Sequence, residues 1–314
     1  MKKDFKIQDV RNKVVLLAAL DWGMGHTTRC VALIRQLLLN NNELIFAGNE
    51  KQINFLKREF PALKYETIGG YGITLNSKRN TYAQMAAQAK KVASAMKGEK
   101  KWLKNYIKAN KVDLVVSDNR YGFYHKKITS IILTHQLNLQ IPSFKWVTNK
   151  FLHKKLCKFD VCWVPDNKER PLTGELSNAK IKIPVCFIGL LNRFEKVEAE
   201  EVYDYLIILS GPEPERTNFL DYAKQQATDL GGSIAFVGAE VDGYESFLNP
   251  TTKQLGVLIA QSKSVYSRAG YTTIMEMIGL DKKAVLIPTK GQYEQLYLAE
   301  YIRNDKISFI QAEI

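Results

Sequence analysis

A chain of 314 residues that is 46% hydrophobic can bury a substantial core, and its length favours two domains over one. Its formal charge of +13 favours anionic partners, whether nucleic acid, phosphorylated small molecules or an acidic membrane surface. No apolar run reaches the roughly twenty residues of a membrane-spanning helix. The four cysteines, Cys30, Cys157, Cys162 and Cys186, show neither a CxxC pair nor zinc spacing, which points to a reducing cytoplasm rather than a disulfide framework.

The N-terminus places basic residues before the apolar run VVLLAAL (14–20), as a signal peptide does, but DWGMGH follows instead of a small-residue cleavage site. The run therefore reads as a buried first strand. In the turn DWGMGHTTRC (21–30), Gly23 and Gly25 let the backbone bend sharply and approach a ligand, and His26 sits where a helix begins. Further strands are expected at 43–48, 113–117, 130–134 and 160–165, with helical patterns between most of them. Asp118 and His135 follow the third and fourth strands of this half. Residues 143–159 mix Phe144, Trp146, Val147, Phe151, Leu152 and Leu156 with five lysines. Such a segment suits an interfacial helix on anionic lipid or, more commonly, a basic amphipathic helix packed on its own sheet. Solvated roles are expected for His125 and His153, and local packing or pairing for Arg29.

The charged stretch LLNRFEKVEAEEVYD (190–204) reads as a linker, after which strands recur at 205–211, 233–238, 264–270, 284–289 and 307–310. The alternation predicts an α/β chain of two domains, residues 1–195 and 196–314, each a parallel sheet wrapped by helices, with a cleft between them.

Ligands of open α/β sheets gather at the carboxyl ends of strands, where helix N-termini expose unpaired N–H groups. A dinucleotide fingerprint at the first turn fails, because Thr28 stands at the third glycine position and no acidic residue ends the second strand. No Walker lysine marks a P-loop there. In SRAGYTTIMEMIGLDKKAVLIPTKGQYEQLYLAEYI (267–303) the loops and helix starts carry Arg268, Gly270, Thr272, Glu276, Gln292, Glu294 and Gln295. A carboxylate can hold a ribose diol, and helix N-terminal amides a diphosphate. In LSGPEPER, Ser210, Gly211 and Arg216 offer a hydroxyl, a tight turn and a cation. Plainer roles compete: Thr273 to Glu276 has the form of a capping box, Gln292 and Glu294 can cap the last helix, Arg268 can brace an interdomain face, and Asp118 can be a turn residue. No HxH or HExxH arrangement argues for a metal, and the aromatic residues show no nucleic-acid stacking platform.

Taken together, GMGHTTR, VSDNRYG, THQL, IGLLNRF, LSGPEPER, SRAGYTTIMEM and PTKGQYEQ resemble the nucleotide-sugar glycosyltransferases of the GT-B fold. The resemblance is greatest to the lipid II-forming N-acetylglucosaminyltransferase group and its uncharacterised relatives, and it spans nearly the whole chain. It implies two Rossmann-like domains with parallel sheets facing a cleft, the N-terminal one on the acceptor side and the C-terminal one binding the nucleotide sugar. It assigns Glu276 to the ribose, Gln295 to the donor sugar, and His26 to the general base. Asp118 would orient His26 or replace it, and His135 would touch sugar or phosphate. Leu296 stands where a second glutamine is expected, which leaves the donor sugar open. The implied activity is inverting and metal-independent, with no cofactor. Arg216, Arg268 and helix dipoles would stabilise the departing diphosphate, a uridine one. Acceptors would be glycans, lipid-linked glycans or small molecules, with peripheral membrane contact but no nucleic acid. GMGHTTRC also resembles the GSGHxxRC turn of nucleotide-sugar hydrolases, and a non-catalytic sugar-nucleotide sensor is a third reading.

Overall fold

The computed structural model describes residues 4–72, 87–211 and 213–310. The chain forms two compact units, one running to Leu191 and one from Asn192 onward, with Gly23–Gly25 grouped with the second.

The first unit contains β1 (Val14–Ala19), α1 (Gly25–Leu39), β2 (Glu43–Gly48), α2 (Glu50–Glu59), β3 (Lys64–Thr67), α3 (Ala89–Ala109), β4 (Leu114–Asp118), β5 (Thr129–Leu133), α4 (Lys145–Leu156), β6 (Val161–Val164) and β7 (Val185–Phe187). Its sheet has the order β3-β2-β1-β4-β5-β6-β7, and every pairing is parallel. The middle strands are apolar on both faces, as a sheet covered by helices on both sides requires. Leu16, Ala18, Ile45, Val115 and Phe123 pack in one core cluster, and Ile132, Leu156, Phe159, Cys162 and Val164 in another.

The second unit contains β8 (Tyr203–Ile208), α5 (Glu215–Leu230), β9 (Ile234–Val237), β10 (Glu245–Phe247), α6 (Thr252–Ala260), β11 (Ser262–Arg268), α7 (Tyr271–Leu280), β12 (Ala284–Ile287), α8 (Tyr293–Tyr301) and β13 (Ile307–Phe309). Its parallel sheet has the order β10-β9-β8-β11-β12-β13. Ile207, Phe219, Phe236, Tyr266 and Ile287 fill its core. In each sheet the strand order reverses beside the first strand, between β1 and β4 and between β8 and β11. Such a switch point parts the flanking loops and leaves a crevice at the carboxyl ends of the strands.

Three features depart from expectation. Strands β3, β7 and β10 were not foreseen, and each lies at a sheet edge. The stretch expected as a linker is anchored to the second unit: Phe194 is buried, Asn192 donates to the Glu276 carbonyl at 3.2 Å, and Arg193 reaches the Glu276 carboxylate. Helix α4 also inverts the usual amphipathic plan. Its inner face is held by polar groups: Asn149 accepts from the Leu139 amide at 2.7 Å, and His153 Nε2 donates to the Leu137 carbonyl at 2.8 Å, so His153 is not merely solvated. Leu156 completes that face. Phe144, Trp146, Val147 and Phe151 face solvent, Trp146 at 73% exposure, with Lys150 over the Trp146 ring at 4.9 Å. Among the described residues no helix is long and apolar enough to cross a membrane.

Candidate functional site

The two switch points carry most of the residues expected to do chemistry. In the first unit, β1 runs beside β4 so that Ala19 pairs with Asp118, and the Leu20 amide donates to the Asp118 carbonyl at 2.9 Å. Gly23, at φ +68°, turns the chain into α1 through a left-handed conformation that glycine adopts without strain. His26 and Arg29, three residues apart on one helix face, thereby reach the end of β4. His26 Nδ1 lies 2.8 Å from Asp118 Oδ1, Arg29 Nε donates to Asp118 Oδ2 at 2.6 Å, and Arg29 Nη2 donates to Oδ1. The Cys30 thiol is directed at Oδ2 from 3.8 Å.

Asp118 is fully buried, and burial alone would raise its pKa; Arg29 and then His26 overcome this and hold it down at about 2. The carboxylate is therefore ionised at neutral pH. Arg29 Nη2 also lies 2.9 Å from His26 Nδ1, but a guanidinium has only donors, and its hydrogens are better spent on the carboxylate. Nδ1 then carries the imidazole hydrogen toward Asp118, and Nε2 keeps its lone pair. Among the described residues Nε2 has no hydrogen-bond partner. Arg29 is buried and its partner lies on β4, not nearby in sequence as expected. His135, after β5, comes to the same cluster, with Nδ1 3.5 Å from Arg29 Nη1, but it is only 3% exposed. In this conformation it backs Arg29 rather than facing solvent.

A second ion pair supports the loop after β4 and was not anticipated. Arg120, fully buried, donates to Glu99 Oε1 at 2.5 Å and to the Gly69 carbonyl at 2.6 Å, while Tyr71 donates to Glu99 Oε2 at 3.0 Å. It ties α3 to the VSDNRYG turn that presents Asp118. The adjacency of Arg120 to Asp118 in that motif was the available signal.

In the second unit, β8 is followed by Ser210 and Gly211, the latter at φ +97°, and α5 begins at Glu215. Arg216 donates to the Gly238 carbonyl after β9, so its cation is already engaged with backbone. Arg268 ends β11 and is 7% exposed; burial lowers its pKa to about 10, with Glu215 opposing, so it keeps its charge at neutral pH. Glu215, Asn218, Phe219, Arg268, Ile287, Pro288 and Thr289 line a small recess, open to solvent, whose enclosed part has room for about one water-sized group.

Gly270 caps α7 through its backbone, followed by Thr272, which is half-buried. Thr273 lies inside the helix rather than at its cap, so the capping box does not form. Glu276 is instead buried with its Oε1 2.9 Å from Arg193 Nε, an ion pair whose N–H is not aligned on the oxygen. Burial raises the Glu276 pKa and Arg193 opposes the rise. Gln292 caps α8 without a side-chain bond to its backbone; its Oε1 instead accepts from Gln295 Nε2 at 2.6 Å. Gln295 Oε1 accepts from the Thr289 amide at 2.8 Å and hydroxyl at 2.9 Å. Glu294 lies in the first turn of α8. Among the described residues no group of three or more His, Cys, Asp or Glu side chains could hold a metal.

Residues 245–311 match the glycosyltransferase family 28 C-terminal domain. No curated protein matches the chain by sequence. Among solved structures, the chain is similar to the glycotransferase of kitacinnamycin, with 14% identity, TM-score 0.65 and coverage of 96% of this chain and 86% of that one. UGT89C1 of Arabidopsis thaliana, complexed with UDP-L-rhamnose, is 12% identical with TM-score 0.60, covering 96% and 86%. MurG of Acinetobacter baumannii is 14% identical with TM-score 0.51, covering 95% and 85%. The chain thus has the GT-B glycosyltransferase fold, with two parallel α/β sheets.

Proposed function

We propose that the chain is an inverting glycosyltransferase that moves a sugar from a nucleotide diphosphate, a uridine one, to a glycan, lipid-linked or small-molecule acceptor without a metal. The observation that carries this reading is the His26 imidazole at the first switch point, with Nδ1 2.8 Å from the ionised Asp118. The family 28 match in the second unit supports a nucleotide-sugar donor, as does the UDP-L-rhamnose bound by one structural neighbour.

The acceptor oxygen attacks the anomeric carbon while His26 Nε2 takes its proton; the bond from that carbon to the diphosphate oxygen breaks, and the electron pair leaves with the nucleotide diphosphate. Asp118 stabilises the imidazolium that forms, and Arg29 keeps Asp118 ionised and in register. The second unit binds the nucleotide sugar: Glu276 holds the ribose, Gly211 and Gly270 with their helix starts meet the diphosphate, and Gln295 contacts the sugar, with Arg268 beside them. Thr272, Ser210, Gln292 and Glu294 complete this set. Gly23 and Gly25 shape the turn that carries His26. The exposed Phe144, Trp146 and Phe151 with the α4 lysines give the first unit a surface suited to anionic lipid, consistent with a lipid-linked acceptor.

The test is release of nucleotide diphosphate from UDP-sugars. A transferase releases it slowly with donor alone and faster with acceptor, and a chelator changes neither rate. Rapid release with an equal yield of free sugar would make the chain a hydrolase, and binding without release a sensor.

A further inference from the structure

The recess beside Arg268 holds two charged groups whose bonding capacity is unspent. Glu215, the first residue of α5, is 3% exposed, and its Oε2 is buried with no hydrogen-bond partner. Arg268, 7% exposed, makes no side-chain hydrogen bond among the described residues. The Glu215 oxygen is not explained by packing alone, because a buried polar atom without a partner costs about 1–3 kcal/mol. The loop after β8 lies against Arg268: a Cβ built on Gly211 would stand 3.9 Å from its Nη1. Asn218 and Thr289 complete the polar lining, while Phe219, Ile287 and Pro288 supply apolar walls.

The charge pattern selects the occupant. A lone buried arginine would draw phosphate, but Glu215 beside it would repel phosphate oxygens. The pair instead offers one strong acceptor and one strong donor within a neutral recess, which suits hydroxyl groups that donate to the carboxylate and accept from the guanidinium. Glu276 is not among the lining residues, so the ribose assigned to it lies elsewhere. Thr289, which is in the lining, is bonded to Gln295, the residue assigned to the donor sugar. The geometry points to Glu215 and Arg268 as a specificity subsite that binds hydroxyls of the transferred sugar. This rests on the nucleotide-sugar reading and adds Glu215 to it.

The experiment compares calorimetric affinities for UDP, UDP-glucose and UDP-N-acetylglucosamine in the wild type, Glu215→Gln and Arg268→Lys, with melting temperature confirming that each variant folds. Wild-type protein should bind at least one UDP-sugar more tightly than UDP. Glu215→Gln should weaken that UDP-sugar about tenfold, as loss of a charge-assisted bond does, while leaving UDP unchanged. Equal weakening of UDP and UDP-sugar would place Glu215 on the base or ribose and overturn the assignment. Unchanged UDP-sugar affinity would overturn it as well. Failure of the wild type to bind UDP or either UDP-sugar would defeat the nucleotide-sugar reading itself, and the subsite with it. Arg268→Lys keeps the charge but loses the planar fork, so it should weaken the UDP-sugar more than UDP; the reverse would make Arg268 a phosphate ligand and remove it from the subsite.

Discussion

Asp118 and Glu215 are both buried carboxylates beside an arginine, near the switch points of their respective sheets, yet they stand in opposite states. Both oxygens of Asp118 are engaged, by His26, Arg29 and the Cys30 thiol, whereas Glu215 keeps a buried oxygen with no partner. A carboxylate whose bonds are closed within the protein is preorganised: it fixes the tautomer of its histidine before any ligand arrives. One whose bonds are open is completed by what binds. The contrast separates a proton-handling centre from a recognition centre without appeal to either unit's ligands.

The comparison can be broken most directly by removing each carboxylate and measuring urea unfolding. Asp118→Ala strands the buried Arg29 and should cost about 3–5 kcal/mol, whereas Glu215→Gln should cost less than about 1 kcal/mol, since it gives up no hydrogen bond to protein and only the attraction to Arg268. Equal losses would show that the two carboxylates are not different in kind. Next in size, His26→Ala should lower turnover roughly a hundredfold or more with UDP affinity unchanged, because the imidazole acts on the attacking oxygen. Turnover at the wild-type level would remove His26 from the chemistry. For Glu276, replacement by glutamine should cost about 1.5–3 kcal/mol in UDP binding if it holds the ribose, and nothing if Arg193 is its whole purpose.

Acid sharpens the same comparison. The folded pKa of Asp118 lies at about 2, below the ordinary value of 3.8, so its contribution is present above pH 4 and lost as pH falls toward 2. The shift corresponds to about 2 kcal/mol, and an acid titration of stability should show it in the wild type but not in Asp118→Asn. The smallest effect belongs to α4. Binding to anionic vesicles should be detectable at low salt, weaken as salt is added, and drop on Trp146→Ala, with each lysine contributing roughly 1 kcal/mol. Absence of binding at low salt would leave a soluble acceptor.

The central strands were legible because strands covered on both faces are written as continuous apolar runs, as in VVLLAAL and YLIILS. The strands β3, β7 and β10 were not, because KYET, VCF and ESF are short edge segments whose pairing depends on a neighbour already in place. His26 and Asp118 stood out by their positions after such runs. Arg29 did not, since nothing local distinguishes a helical arginine that pairs with its neighbours from one that reaches a distant strand. Arg193 was hidden in a charged stretch that resembles a linker, and Glu215 in the charged EPER, where burial cannot be read. The fold was therefore recoverable from periodicity, while the partners of individual charges required tertiary structure.

The Asp118 cluster also constrains how the molecule comes together. His26 and Asp118 are 92 residues apart, and β4 adds to β1 on the side opposite β2. Contacts of such long range form slowly, because chain entropy is spent before they return any stabilisation. Until β4 docks, α1 cannot settle on the sheet without burying Arg29 against no counter-charge, which is unfavourable. A nascent chain or proteolytic fragment that stops short of β4 should therefore keep its first helix loose. The groups that would move a proton in the finished protein thus also withhold a stable amino-terminal half from an unfinished one.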